Sequence, residues 1–335
     1  MSKFPTFYDD AKGDDWNYNP DTAEVRVAAM GERANFKPAQ GDKKIVSLLG
    51  IDVQLDFCCS KGGLFVAGAP DDSVRLTEFI YRELGTITRM FFTMDTHLPV
   101  QIFFSMFWVD DDDNEIEPNT LISADDVRKG KIKPNPAVAK DVCGGDYAWL
   151  QRYAIHYCET LERRGRYQLM VWPYHCLLGT RGHSIVGIVQ EAALYHSFVR
   201  RAQLWPEVKG GQPLTENYSV FGAEVTVSHD GRPIQQKNDR FINTLLKSDV
   251  VIIAGQAKSH CVAWTIADLL DEIKAKDPLL VEKVYLLEDC TSSVVIPGVV
   301  DFAQQGNEAF DRFASDGMHV VKSTDPIADW PDVKL

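Results

Sequence analysis

The segment Asp249–Gly255 (DVVIIAG) sets the tightest limit on what this chain can become. An unbroken apolar run of this length has no wet face, so it reads as a strand covered on both sides, as strands of parallel sheets are. A turn later, Val262, Ile266, Leu269, Leu270 and Ile273 recur at helical spacing, and Cys261–Ile273 reads as a helix packed behind that strand. The alternation continues along the chain. Lys44–Ile51, Ile87–Thr93, Tyr167–Trp172, Val284–Glu288 and Met318–Val321 read as further strands, with helices at Val74–Leu84, Ile185–Phe198 and Phe302–Ala314. This order predicts a three-layer α/β/α sandwich around a mainly parallel sheet.

Two stretches depart from that rhythm. Residues 1–43 are polar and punctuated by Pro and Gly, an N-terminal extension ahead of a domain spanning 44–335. From about 105 to 166 an acidic run (Asp110–Asp113, Glu115, Glu117), a Lys/Pro segment (Lys129–Pro136) and Trp- and Tyr-rich sequence make a large insertion. The acidic run lacks the Gly a calcium-binding loop needs at its sixth position, so a solvated loop is the better reading. Val225–Pro233 reads as a smaller, hairpin-like insertion.

Composition narrows the partners. With 335 residues, 45% hydrophobic and 10% aromatic, the chain can bury a substantial core. Lys and Arg number 35 against 48 Asp and Glu, a net charge of −13, which disfavours nucleic acid or an acidic membrane surface. No apolar run approaches the roughly 20 residues of a membrane-spanning helix. The first residues, MSKFPTFYDDAKGDDWNYN, show neither the basic head nor the apolar core of a signal peptide. The 7 cysteines, at positions 58, 59, 143, 158, 176, 261 and 290, show no C-x-x-C pair. Reduced thiols in a cytoplasmic protein acting on a small molecule are therefore expected, with one thiol reactive.

Ligands of such sheets bind beyond the carboxyl ends of the strands. After the first strand comes Asp52, and after the second Asp95-Thr96-His97. Tyr167–Trp172 is followed by Pro173-Tyr174-His175-Cys176, Gln203–Val208 by Lys209, and Asp249–Gly255 by Gln256-Ala257-Lys258-Ser259-His260-Cys261. So many ionisable groups at strand ends are more than loop polarity supplies. Cys261 enters a helix, where unpaired N–H groups favour thiolate. A nucleophilic thiol also needs a proton acceptor and charge compensation, and Asp52 and Lys209 offer both. Asp95-x-His97 presents two ligand-type side chains on one side of an extended segment, and with His175 it suits a divalent metal with open positions. His260 reads as shaping the loop before the thiol.

Taken in order, Asp52-Val-Gln-Leu-Asp-Phe57, Asp95-Thr-His97, Trp172-Pro-Tyr-His175-Cys-Leu-Leu-Gly-Thr180, Lys209-Gly with Tyr218-Ser-x-Phe221, and Gly255-Gln-Ala-Lys-Ser-His-Cys261-Val resemble the nicotinamidase/isochorismatase-like cysteine hydrolases. The resemblance runs from roughly Lys44 to Thr324, interrupted by the insertion, and the Trp172–Thr180 string is similar to the nicotinamidase branch. It implies an isochorismatase-like hydrolase fold, with Cys261 as nucleophile, Asp52 as general base and Lys209 as third member of a triad. It further implies a cis peptide at Gln256–Ala257, aiming the Ala257 N–H with that of Cys261 at the substrate oxygen as an oxyanion hole. Phe57 and Trp172 match positions that sandwich a flat ring, with Tyr218 near that pocket. Asp95, His97 and His175 match ligands of zinc or iron beside the ring nitrogen, and a homo-oligomer is expected.

The sequence departs from the family at Gln101, where a second metal-binding His is usual. A neutral amide oxygen is a poorer ligand for such an ion than imidazole, so Gln101 stands as a fourth candidate and the metal is left open. The activity implied is hydrolysis of a small carboxamide through a thioester, with nicotinamide to nicotinate and ammonia as first expectation. Two alternatives stand beside it. One is the same chemistry on another small amide, ureide or lactam with a vestigial metal site. The other is a ligand-binding member without catalysis, against which the retained triad argues.

Overall fold

Val46–Ile51 (β1) is buried at every position, because it runs through the middle of a six-stranded parallel sheet. The computed structural model describes residues 4–165, 167–333 and 335. The other sheet strands are Arg89–Asp95 (β2), Leu204–Lys209 (β3), Val250–Gly255 (β4), Val284–Leu287 (β5) and His319–Val321 (β6). They lie in the order β6-β5-β4-β1-β2-β3, all pairs parallel. The chain lays down β1, β2 and β3 in one direction, then crosses back to place β4 on the other flank of β1. The direction of winding therefore reverses between β1 and β4, which is where open α/β sheets open a crevice for ligand.

Alternation along each strand sorts side chains onto two faces. Val46, Leu48, Met90, Phe92, Val250 and Ile252 join one core, covered by Thr22–Glu32 (α1), Ala69–Arg82 (α2) and Gly187–Arg200 (α4). Leu49, Ile51, Phe91, Val251 and Ile253 join the other. That face is covered by Asp239–Leu246 (α5), Ala263–Lys276 (α6) and Ala303–Ser315 (α7). Tyr147–Arg164 (α3) completes the longer helices. The architecture is the three-layer sandwich that the alternation predicts. Among the described residues no helix is long and apolar enough to cross a membrane.

One strand falls elsewhere than its sequence suggests. Within Tyr167–Trp172 only Leu169–Met170 is a strand, and it pairs antiparallel with Leu121–Ile122, outside the central sheet. The third place beside β2 is taken by β3, in register from Met90 with Leu204 to Asp95 with Lys209. As an edge strand, β3 leaves Trp205 and Val208 exposed, so it lacks the continuous apolar signature of its neighbours.

Residues 102–172 build most of a third core, joined by Leu214 and Val225. Trp108–Asp110 pairs antiparallel with Ile132–Pro134, and α3 lays Trp149, Leu150, Tyr153, Tyr157 and Leu161 against Phe103, Phe107, Trp108 and Trp172. Asp146 caps the start of α3 by accepting the Trp149 N–H, and Gly165 ends it in a left-handed conformation. Ahead of β1, Asp21 caps α1, whose Val25 and Ala29 are buried in the first core. The Val225–Pro233 segment is hairpin-like, with Ser228 N–H bonded to Arg232 O at 2.9 Å.

Candidate active site

Asp52, Asp95, Lys209 and Cys261 meet at the carboxyl ends of β1, β2, β3 and β4. Lys209 Nζ lies 2.9 Å from Asp52 Oδ2, 3.0 Å from Asp95 Oδ1 and 3.7 Å from Cys261 Sγ, and donates to Asn217 O at 2.8 Å. Candidate ligand atoms of Asp52, Asp95 and Cys261 lie within 4.8 Å of one another. Strand register produces much of this arrangement. Asp95 and Lys209 are register partners on β2 and β3, while Asp52 follows β1, two strands from Lys209.

Asp52 has φ of +47°, a left-handed conformation that Asp tolerates better than most residues. Its N–H donates to Thr93 Oγ1 at 2.9 Å, and the Thr93 hydroxyl donates back to Asp52 Oδ1. The close approach of β4 to β1 is open only to glycine at position 255, where φ is +115° and a Cβ would stand 2.0 Å from Ile51 O. Beyond it the Gln256–Ala257 peptide bond is cis. Cys261 then lies in a widened turn, Lys258–Val262, whose Val262 N–H reaches back five residues to Ala257 O at 3.2 Å before α6 begins. Such turns are frequent at functional sites.

All of these groups are buried, and burial decides their protonation. It pushes the Asp52 carboxyl up, and the Lys209 ammonium only partly offsets it. For Lys209 burial favours the neutral amine, but the Asp52 and Asp95 carboxylates overcome it and hold the ammonium charged. Burial also raises the Cys261 thiol well above its usual range, against the pull of Lys209. Burial thus works against the thiolate expected at a helix end, and the Asp52 carboxyl lies close to the sulfur.

The second cluster adjoins the first. Candidate ligand atoms of Asp95, His97 and His175 lie within 4.8 Å of one another. The His175 segment reaches His97 because it runs alongside it: His97 N–H bonds to Cys176 O at 3.0 Å, and Leu178 N–H to His97 O at 2.9 Å. His97 Nδ1 is 3.2 Å from Gly210 O and His175 Nδ1 is 2.7 Å from Pro173 O. With each Nδ1 at a carbonyl, Nε2 is the nitrogen left to offer a lone pair when the ring is neutral, as metal-binding imidazoles require. His97 Nε2, 3.1 Å from Asp95 Oδ2, has no partner aligned for a hydrogen bond among the described residues. This set of donors fits a divalent ion.

Without an ion, burial lowers His175 to about 3, helped by the charge on His97. In His97 burial has the same tendency, but Asp95 reverses it. Gln101 is engaged elsewhere. Its amide oxygen accepts the Leu98 N–H at 3.1 Å and its nitrogen donates to Gly210 O at 2.6 Å. It braces the carbonyl that orients His97. Gly210 itself must be glycine, since φ is +83° and a Cβ would meet Asp95 Oδ1 at 2.5 Å.

Phe57, Trp172 and Tyr218 line one pocket with Ala257, Cys261, Asp95 and His175. Trp172 Nε1 donates to the Tyr218 hydroxyl at 3.2 Å, holding two of the walls together. Leu64, Val66 and Val294 make the rest of the lining largely apolar. Two further residues enter this pocket with little warning from the sequence. Glu216 is buried, accepts the Asn217 N–H at 2.7 Å, and is raised to about 7 by burial and by Asp95. Its position two residues before Tyr218 is the only signal. His260 is the other, adjacent to the thiol but without a pattern of its own.

No protein-family model and no curated protein matches this sequence. Solved structures do. Yeast nicotinamidase bound to the inhibitor nicotinaldehyde is 16% identical, with 83% of this chain and 100% of that chain covered and a TM-score of 0.52. A second structure of yeast nicotinamidase gives the same identity and TM-score, with 83% of this chain and 99% of that one covered. The chain therefore has the three-layer fold seen in nicotinamidase.

Proposed function

We propose that this protein is a cysteine hydrolase that cleaves the C–N bond of a small, flat carboxamide, nicotinamide being the first candidate. One observation carries the reading: a buried ammonium stands 2.9 Å from the Asp52 carboxylate and 3.7 Å from a buried thiol that lines a largely apolar pocket. A charged pair is expensive to bury, and placing it against a sulfur has an evident chemical use.

In this mechanism Asp52 takes the Cys261 proton as the sulfur adds to the amide carbonyl carbon. Lys209 remains charged and lowers the cost of negative charge passing between Asp52, sulfur and substrate oxygen. The Ala257 and Cys261 N–H groups receive the oxyanion. Asp52 returns the proton to the substrate nitrogen as the C–N bond breaks, releasing ammonia and leaving a thioester. Water gives a proton to Asp52 while adding to the thioester carbon. The sulfur then leaves and recovers that proton, and the free acid departs. Phe57 and Trp172 hold the ring and exclude bulk water. Asp95, His97 and His175 would hold a zinc or iron ion, which when bound supplies a positive charge that attracts a ring-nitrogen lone pair.

The test is ammonia release by the purified protein from a panel of carboxamides, ureides and lactams. Cys261→Ala is expected to reduce release from the preferred amide by at least about 10³-fold, with an unchanged far-UV circular dichroism spectrum. Turnover that survives this substitution ends the proposal.

A further inference from the structure

The chain ahead of β1 is fastened to the sandwich by a buried charge. Glu191 on α4 is 1% exposed and accepts the hydroxyl proton of Tyr18 and, at 3.1 Å, that of Tyr81 on α2. Its cation is Lys12, 3.3 Å away, which also donates to Phe7 O at 2.6 Å and to the Tyr18 hydroxyl at 3.1 Å. A buried carboxylate persists only with such partners, so Lys12 and Tyr18 hold this segment in one place. Gly13, between them, lies so close to α2 that a Cβ would stand 2.6 Å from Val74 Cγ2.

From that anchor the segment reaches two loops of the pocket. Asp14 Oδ1 accepts the Ser60 N–H at 2.6 Å, just beyond the short helix Leu55–Cys58 that carries Phe57. Trp16 O accepts the Arg181 Nε–H at 2.5 Å, in the loop that follows His175. The two loops are also joined to each other. Asp56 accepts the Gly63 N–H at 2.9 Å and the Cys176 N–H at 2.6 Å, and a Cβ at Gly63 would stand 2.2 Å from Tyr174 O. Phe57, Leu64 and Val66 on the first loop and His175 on the second line the pocket. The bonds from Asp14 and Trp16 both lie at the surface, where a hydrogen bond adds only about 0.5–1.5 kcal/mol to stability. Their use lies in what they immobilise, since functional loops are otherwise the first parts of a fold to open.

We infer that residues 12–18 form a clasp over the pocket loops, with Asp14 and Arg181 as positioning residues that keep Phe57 and His175 in place for substrate. The resemblance to the hydrolase family begins only at Lys44, so the clasp belongs to this chain. Its effect on turnover rests on the amidase reading; its effect on the loops does not.

The test compares the full chain with Asp14→Ala/Arg181→Met, which leaves the Glu191 anchor intact, and with Asp14→Asn, which keeps an acceptor oxygen for Ser60. Amide hydrogen exchange, read by mass spectrometry, is expected to quicken about fivefold in peptides covering 55–66 and 174–183 of the double variant, and to stay unchanged in the sheet strands. Asp14→Asn exchanges as the parent does. Ammonia release from the preferred amide is the second readout: KM rises about fivefold in the double variant with kcat kept. Unchanged exchange in either loop, exchange that quickens throughout the protein, or an unchanged KM in an active enzyme overturns the clasp. If both loops respond while the parent itself releases no ammonia from any amide, the clasp stands and the amidase reading falls.

Discussion

The sheet and the layer built from residues 102–172 contribute to the same pocket in different ways. The sheet supplies charge and sulfur: Asp52, Asp95, Lys209 and Cys261 all follow from where its strands end. The added layer supplies shape. It presents Trp172, and through α3 it grips the loop after β3: Tyr153 Oη donates to Leu214 O at 2.7 Å, and Tyr157 Oη accepts the Glu216 N–H at 3.1 Å. That loop in turn carries Asn217, whose carbonyl holds Lys209, and Tyr218, which holds Trp172. Reactive groups are thus fixed by the register of a rigid element, whereas walls and specificity ride on a separately cored addition that can change without moving the thiol.

The comparison breaks most visibly at Lys209. Lys209→Met leaves Asp52 and Asp95 as neighbouring buried carboxylates without their shared cation. Unfolding in denaturant is expected to show a loss of about 3–5 kcal/mol, and amide turnover to fall by at least roughly 10³-fold. Part of the stability returns at low pH, where the two carboxyls can protonate. A variant that is unstable yet fully active would mean that the sheet-borne charge serves the fold and not the reaction.

Glu216 gives the next largest effect and lies on the boundary between the two regions. Its folded value of about 7 is above the usual 4.5 of a glutamate. Between these values the folded protein keeps a proton that the unfolded chain has lost, so stability falls as pH rises through this window and is level above it. The span corresponds to about 3 kcal/mol. In metal-free protein, thermal unfolding followed across this range should show that slope. Glu216→Gln should flatten it and be the more stable form above pH 7. An unchanged slope would place the carboxyl in water and outside the pocket.

The same division explains what could be read from the sequence. Asp52, Asp95 and Cys261 are legible because continuous apolar runs announce buried strands, and the residues that end or follow such strands are confined to the rim of the sheet; Lys209, which follows Gln203–Val208, lacks that signal. His175 was legible as a candidate, although the run before it is not a sheet strand. Tyr167–Trp172 has the apolar character of one, but it packs into the third core. The true edge strand contains Pro206 and turns Trp205 and Val208 outward, a pattern that periodicity does not mark as a strand. Glu216 and His260 owe their roles to burial by residues far along the chain, such as Tyr157 and Val294, which no local spacing encodes. Gln101 stands as a ligand candidate only through the resemblance, and the hydrogen bonds of its amide add a bracing role that no sequence pattern marks.

The smallest expected effect is the sharpest test of whether the two regions are separable. Tyr157→Phe keeps the ring in the third core and removes only the oxygen that accepts the Glu216 N–H. An orphaned buried donor costs about 1–3 kcal/mol, visible in thermal unfolding. Because the loop also positions Tyr218 and Asn217, kcat/KM for the preferred amide should drop by about fivefold. The rate at which a small alkylating agent modifies Cys261 should stay unchanged, since Asp52, Asp95 and the strands beneath them are not touched. If alkylation slows as much as turnover, the added layer also governs the electrostatics of the thiol, and shape and charge are not divided between the two regions.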